Sequence, residues 1–360
     1  MTEPVTEHQI LGALRAVQDP DLGRDIVSLG FIKDVQVTGS SVAFSIELTT
    51  PACPVREQMQ QQARQAVAAL PGVSAVQVNM TSRVRATLGQ VKEQLIPTVK
   101  NVVPIASGKG GVGKSTVTAN LAIALAQTGA RVGIMDADVY GPSIPTLLGV
   151  QTLPKPTAEG IVPAERYGIK LVSMGFFLRE DDAIIWRGPM LHKTVQHFLG
   201  NVQWGELDYL LVDLPPGTGD VQLTLCQSIP LTGAAIVSTP QDVALKVAQK
   251  AITMFTTLNT PVLGLIENMS HYVCPHCGTR DDVFGSGGAR RAADRLAIPF
   301  LGEIPLATDI RTSGDAGRPT ALDPNSPFAG AFLAVAERLA AQVSIRNMQR
   351  ELTPLVQIRF

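Results

Sequence analysis

The chain has 360 residues with 31 acidic and 30 basic side chains, and no stretch interleaves clustered Lys and Arg with aromatics, which argues against nucleic acid as a partner. A hydrophobic content of 45% with 5% aromatics and 32 glycines describes a core of small aliphatic residues cut by tight turns, which excludes a disordered chain. The start, MTEPVTEHQI, lacks a basic segment followed by an apolar one, no apolar run reaches membrane-spanning length, and four cysteines are too few for a disulfide framework, so the sequence reads as a cytoplasmic protein with no membrane association.

Single cores seldom grow past about 250 to 300 residues, so about two domains are expected. From Glu7 to Val17 the apolar residues Ile10, Leu11, Leu14 and Val17 recur at helical spacing. Strand-like patterns follow at Phe31–Val37 and Val42–Leu48, then a helix at Val55–Leu70 stopped by Pro71-Gly72, then a strand at Val73–Val78. Residues 1–80 therefore form a small α+β domain. Residues 81–100, polar, mildly basic and aperiodic, read as a linker.

Beyond it, apolar strands alternate with helices. Strands are expected at Val102–Ala106, Arg131–Met135, Lys170–Met174, Tyr209–Val212, Ala234–Ser238 and Val262–Glu267. Helices are expected at Ser115–Gln127, Pro189–Leu199, Ala244–Leu258, Gly288–Leu296 and Phe328–Gln342. This rhythm predicts an α/β domain over 101–343, with a parallel sheet covered by helices on both faces, and a C-terminal tail over 344–360. Pro104 breaks a local rule, because a central strand loses a ladder bond there; a bulge or an outward-facing N–H would resolve it.

The strongest chemical signal is GKGGVGKST, Gly108–Thr116, which closes a strand and opens a helix. Its glycines let successive N–H groups converge on phosphate oxygens beside a helix N-terminus. The binding set is Gly108, Lys109, Gly110, Gly111, Val112, Gly113, Lys114, Ser115 and Thr116: Lys114 neutralises the β and γ phosphates of ATP, and the Ser115 hydroxyl ligates Mg²⁺. A carboxylate from a neighbouring strand completes the Mg²⁺ shell, and Asp213, ending Tyr209-Leu-Leu-Val-Asp, supplies it ahead of Pro215-Pro-Gly-Thr-Gly-Asp220. Gly217 is placed to approach the γ-phosphate by its N–H. Asp136 and Asp138 lie at a strand's C-terminal end, where ligands bind in open α/β sheets. Either one of them positions the attacking water or both cap turns.

Cys274-Pro-His-Cys277-Gly puts two thiolates within reach of one metal, half the usual four-ligand set. A second copy of the chain across a twofold axis completes it; a thioredoxin-like redox pair and a structural zinc half-site are the competing readings. His276 reads as a solvent-facing loop residue. Cys53 and Cys226 each stand alone in other segments.

Taken together, Gly108-Lys109-Gly-Gly-Val-Gly-Lys-Ser, Asp136-Ala-Asp-Val-Tyr-Gly-Pro-Ser143, Asp213-Leu-Pro-Pro-Gly-Thr-Gly-Asp220 and Glu267-Asn-Met269 resemble the MinD/ParA group of P-loop ATPases, and within it the Mrp/ApbC iron–sulfur cluster carriers. The resemblance spans about Val102 to Gln342. It implies a homodimer in which Lys109 reaches the partner's nucleotide, Asn268 reads the adenine edge and Asp138 positions the attacking water. It also implies a labile [4Fe-4S] cluster bridged by Cys274 and Cys277 of two chains, received from assembly scaffold proteins and passed to iron–sulfur apoproteins in step with slow ATP hydrolysis.

Asp19-Pro-Asp-Leu-Gly-Arg-Asp-Ile-Val-Ser-Leu-Gly30 and Leu48-Thr-Thr-Pro-Ala-Cys-Pro54 resemble the small iron–sulfur-assembly domain of the SufT kind over Glu7 to Met80. Cys53, just before a helix expected from Pro54, is either a thiolate favoured by that helix N-terminus or a small buried apolar side chain. Two functional classes stand against each other: a cluster carrier, and a MinD/ParA-like positioning or partitioning ATPase with a structural metal site. The tail, Ser344–Phe360, has Pro354 and a thin scatter of charge where a membrane-targeting helix needs one strongly basic face, and the second class leaves the cysteine pair unexplained. A nitrogenase-reductase-like electron carrier fits less well, since its ligands are single cysteines in separate loops.

Overall fold

The computed structural model describes residues 5–87, 96–177, 188–219, 222, 223, 226 and 231–352. Asp220 and the last eight positions of the expected tail lie outside the described residues. The chain divides into two compact units, 1–85 and 86–360.

In the smaller unit, Thr6 starts helix Glu7–Leu14 with a reciprocal cap: its hydroxyl accepts from Gln9 N while Gln9 Oε1 accepts from Thr6 N. Strands Ile32–Thr38 and Ser41–Leu48 form a hairpin, and Ala75–Ser82 returns parallel to the second after helix Arg56–Ala68. Ile10, Leu14, Phe44, Ile46, Met59 and Val67 close its core. The last strand runs to Ser82, so Thr81 and Ser82 are strand rather than linker. A two-residue bridge, Gln18–Asp19 with Arg24–Asp25, was not expected from the sequence.

The larger unit holds a nine-stranded sheet in the order Arg280–Asp281, Val262–Val273, Ala234–Ser238, Val102–Ser107, Tyr209–Asp213, Val132–Asp136, Ile169–Ser173 and Ala164–Arg166, with Phe300–Leu306 also paired to Val262–Val273. All pairings are parallel except the two short strands Arg280–Asp281 and Ala164–Arg166. The four strands from Ala234–Ser238 to Val132–Asp136 are buried at every residue, as expected of a sheet covered on both faces. Helix Lys114–Gln127 is buried from Val117 to Leu125, apolar nearly all round because sheet and final helix enclose it. That final helix, Ala329–Leu352, continues past Gln342, since Val343, Asn347 and Met348 keep its buried face intact. The strand expected to end at Glu267 likewise runs on to Val273. Strand Phe300–Leu306 and helices Ile144–Leu148 and Thr308–Asp315 are further elements the periodicity did not reveal.

Pro104 sits in the central strand without a bulge. Asn101 O and Ile105 O accept from Leu210 N and Leu214 N on one side, while Val102 O accepts from Thr232 N on the other. Alternate residues address alternate neighbours, so the Pro104 nitrogen faces strand Ala234–Ser238, whose pairing here begins only at Ile105 opposite Ala235. The missing donor falls before the first rung.

Two polar clusters secure the N-terminal ends of the strands. Buried Asn101 Oδ1 accepts from Asn347 Nδ2 at 2.8 Å and from the hydroxyls of Thr87 and Thr232, joining the lead-in segment and the final helix to the sheet. Asp208 accepts from Lys100 Nζ at 2.8 Å and from Arg131 through N, Nε and Nη2, tying three adjacent strands together. Burial pushes the Asp208 carboxyl up, but the Arg131 and Lys100 hydrogen bonds outweigh it and hold it below its ordinary value. A depressed folded value means stability that is present above the unfolded carboxylate pKa of about 4 and lost as pH falls through the folded one. Asp208→Asn is therefore expected to lower Tm at neutral pH and to flatten the loss of Tm below about pH 4. Thermal unfolding across that range checks this, and an unchanged acid slope would contradict it.

Candidate functional site

Strand Val102–Ser107 delivers the chain to Gly108, and helix Lys114–Gln127 carries it away. Three glycines make the turn between them possible. A Cβ on Gly108 would fall 2.5 Å from the Ala248 nitrogen and the Val247 carbonyl carbon. Gly111 and Gly113 have φ of 78°, and a Cβ on Gly113 would meet Asn268 Nδ2 at 2.3 Å. The loop walls a cavity of about 260 Å³ shared with Asp138, Gly141, Ser143 and Pro216. A larger depression, about 670 Å³, lies beside helix Ile144–Leu148 and contains none of the phosphate-loop residues.

The register that sets Asp213 opposite Asp136 on adjacent strands brings two carboxylates to one edge. Both are fully buried. Lys114 Nζ lies 2.8 Å from Asp213 Oδ2 and 3.7 Å from Asp138 Oδ2, and it donates to Ser115 Oγ at 3.3 Å. The Ser115 hydroxyl donates to Asp213 Oδ2 at 2.5 Å, and the Thr118 hydroxyl donates to Oδ1 at 2.8 Å. Asp136 accepts from Ser173 Oγ, Asp138 N and Ile144 N. Asp138 Oδ1 in turn accepts from Tyr140 N and Gly141 N. Asp138 thus caps a turn with one oxygen, as the turn-cap reading expects, and faces Lys114 with the other.

Lys109 is half-buried, and its Nζ donates to Gln241 Oε1 at 3.1 Å. Asn268, buried, donates through Nδ2 to Val112 O at 2.8 Å, tying strand Val262–Val273 to the phosphate loop. Gly217 N donates to Ser107 O at 3.0 Å. Cys274 and Cys277 lie in the hairpin loop between the paired ends Tyr272–Val273 and Arg280–Asp281. Cys274 N donates to Thr279 O and Gly278 N to Cys274 O, closing the loop; Cys274 is half-buried and Cys277 exposed. The Thr279 hydroxyl, 3.2 Å from Cys277 Sγ, and the Thr279 backbone, followed by the Cys274 thiol, hold the Cys277 thiol below its usual range.

The other cysteines are placed differently. Cys226 packs half-buried against the core, burial pushes its thiol up, and it accepts from Thr260 Oγ1 at 3.5 Å. Cys53 belongs to the smaller unit, and the helix after it begins at Arg56 rather than Pro54. Val55 is the N-cap, so Cys53 lies two residues before it in the chain. Among the described residues no three or more His, Cys, Asp or Glu side chains converge as a metal site. His276 is exposed, as expected.

The sequence reading missed Thr118, Ser173, Gln222 and Gln241. Thr118 had a signal, lying four residues after Lys114 on the same helical face. The other three come from different elements and had none.

The profile of the NUBPL iron-transfer P-loop NTPases, of the ParA type, matches residues 98–340, and that of an iron–sulfur cluster assembly protein matches residues 7–80. The iron–sulfur cluster carrier protein of a Synechocystis species is 47% identical over 348 residues, covering 95% of this chain and 99% of its own length. The chain belongs to the iron-transfer P-loop NTPase family. A solved nucleotide-binding protein from Archaeoglobus fulgidus, in complex with ADP, is 44% identical, with a TM-score of 0.57 over 66% of this chain and 92% of its own. The cell division ATPase MinD of Pyrococcus furiosus, 24% identical with a TM-score of 0.51 over 66% of this chain and 97% of its own, shares the fold. Among the described residues no helix is long and apolar enough to cross a membrane.

Burial first, and then the neighbouring Asp213, push the Asp136 carboxyl up to about 7 against the hydrogen bond from Ser173. A raised folded value means stability that is fully present below the ordinary value of 3.8 and lost as pH rises through about 7. Nucleotide-free, magnesium-free protein is expected to lose Tm over that interval, and Asp136→Asn to flatten the slope. Identical slopes in the two proteins would contradict the assignment.

Proposed function

We propose that the chain is an ATP-dependent carrier that holds a labile [4Fe-4S] cluster, its cargo, between two copies of itself and passes it to apoproteins. The observation that carries this reading is one strand: Val262–Val273 touches the phosphate loop through Asn268 and runs directly into Cys274. Nucleotide and thiolates thus act on the same stretch of backbone. The iron–sulfur cluster carrier name of a relative matching over nearly the full length, and the ADP held by the Archaeoglobus protein, support it.

The loop N–H groups and the helix N-terminus cradle the phosphates, and Lys114 exchanges Asp213 and Asp138 for the β and γ phosphates, trading one set of anions for another. Ser115 Oγ and Asp213 Oδ2, hard oxygens 2.5 Å apart beside the loop, fit a Mg²⁺ shell. The ion would neutralise charge developing on the γ-phosphate. Asp138 orients the attacking water, and Asn268 reads the adenine edge. Lys109 leaves Gln241 to reach the partner copy's nucleotide, which couples hydrolysis to dimer geometry.

Turnover is expected well below the enzyme median of about 10 s⁻¹, since the chain works as a switch. Lys114→Ala is expected to abolish ATP hydrolysis and leave iron content unchanged, and hydrolysis at the wild-type rate would overturn the phosphate-loop assignment. Lys109→Ala should lower turnover more than nucleotide affinity, as comparison of kcat with ATP-analogue titration would report.

Two thiolates per chain and four per cluster predict about four irons per two chains after anaerobic reconstitution, with loading favouring the dimer. Cys274→Ala and Cys277→Ala should each empty the site, while Cys226→Ala and Cys53→Ala should leave the bridging cluster in place. Stoichiometric iron on a monomer, full iron in Cys277→Ala, or tightly held zinc resisting exchange would each count against the cluster reading.

A further inference from the structure

The segment after Asp213 has an unusual hydrogen-bond problem. Pro215 and Pro216 donate nothing, yet the loop must hold a fixed place against the phosphate loop, whose cavity Pro216 helps to wall. Leu214 N and Gly217 N tie it to the central strand through Ile105 O at 3.2 Å and Ser107 O at 3.0 Å. The loop's own carbonyls need donors from elsewhere, and one side chain supplies two. Gln222 is 1% exposed, and its Nε2 donates to Pro215 O at 2.9 Å and to Gly217 O at 3.2 Å.

With two carbonyl oxygens on that side, only the NH₂ end of the amide can face them, so its orientation is set by chemistry. Oε1 is thereby turned the other way, where it is buried with no donor. It lies against Gly219, at 3.8 Å from where a Cβ on that residue would stand. A buried acceptor without a donor is costly, and native proteins keep such groups where they serve a purpose.

We propose that Gln222 is the positioning residue of the phosphate-sensing loop, a role that rests on the ATPase reading above. Gly217, with φ of 96°, occupies the left-handed region that glycine enters freely, and its N–H is engaged by Ser107 O in this arrangement. To meet a γ-phosphate it must release Ser107. Gln222 holds the carbonyls on either side of Pro216 while that N–H changes partner, and its spare acceptor serves a loop N–H in the second arrangement. ADP has no γ-phosphate to draw Gly217 away. Gln222 therefore acts on hydrolysis and on discrimination between ATP and ADP, and leaves the cradle of the β-phosphate alone.

The test uses the full-length chain and compares Gln222→Met, which keeps volume and burial but has no donor, with Gln222→Glu, whose carboxylate would face two carbonyls. Both variants are expected to lose roughly tenfold or more in kcat, a factor worth about 1.4 kcal/mol. Their Kd for ADP should stay near wild type while their preference for a non-hydrolysable ATP analogue falls. In wild type, amide exchange at Gly217 and Thr218 should differ between the ADP and ATP-analogue complexes. The proposal is overturned by a Met variant that turns over like wild type, by ADP affinity falling in step with kcat, or by identical amide exchange in the two complexes. Absence of hydrolysis in the wild type would instead fault the ATPase reading, and matched Tm values separate loss of fold from loss of positioning.

Discussion

Burying Asp213 at the C-terminal end of one parallel strand, directly opposite Asp136 on the next, is the constraint on which the rest of the site depends. Two carboxylates in a low-dielectric edge repel one another, and only one can stay ionised without help. The help is specific: Lys114 and two hydroxyl donors, Ser115 and Thr118, converge on Asp213, while Ser173 and two backbone N–H groups satisfy Asp136. Lys114 is thereby held between two acidic side chains, at 2.8 Å from Asp213 and 3.7 Å from Asp138. The same balance explains why the helix opens on a lysine it nearly buries.

Glycine is the second constraint, and it acts through absent volume. Gly113 leaves room for the Asn268 amide to reach Val112 O, and Gly108 lets the loop press against helix Asp242–Thr257. The first of these contacts ties strand Val262–Val273 to the phosphate loop. Met269 adopts a φ of 56°, rare for a residue with a side chain, and the pairing with Phe300–Leu306 shifts register between Asn268 and Tyr272. Glu267, fully buried beside them, caps helix Gly288–Leu296 by accepting from Gly287 N and Ala289 N. The strand is irregular between Asn268, which ties it to the phosphate loop, and the thiol pair, where irregular pairing gives way more easily than a regular ladder.

Much of this was legible beforehand. Strand Ala234–Ser238 and helix Gly288–Leu296 fall where their apolar patterns put them, because a buried strand and an amphipathic helix write their periods into the chain. Short elements escaped: Arg280–Asp281 and Ala164–Arg166 are too brief and too polar to show a period, and Ile144–Leu148 spans little more than one turn. Ends were misjudged wherever burial outlasted the pattern, as in the final helix, whose inner face is carried onward by Asn347 through a hydrogen bond to Asn101.

By itself the sequence determined the phosphate loop, the strand-end aspartates and the cysteine pair, because each is a local motif whose chemistry depends on neighbours a few residues apart. Tertiary structure alone decided which partners those groups meet. Thr118 and Lys114 converge on Asp213, Lys109 rests on Gln241 and Gln222 supports the loop after Asp213, through hydrogen bonds that are mostly long in sequence. Such pairings follow from strand order and register, which parallel crossovers set over the whole sheet and no local pattern encodes.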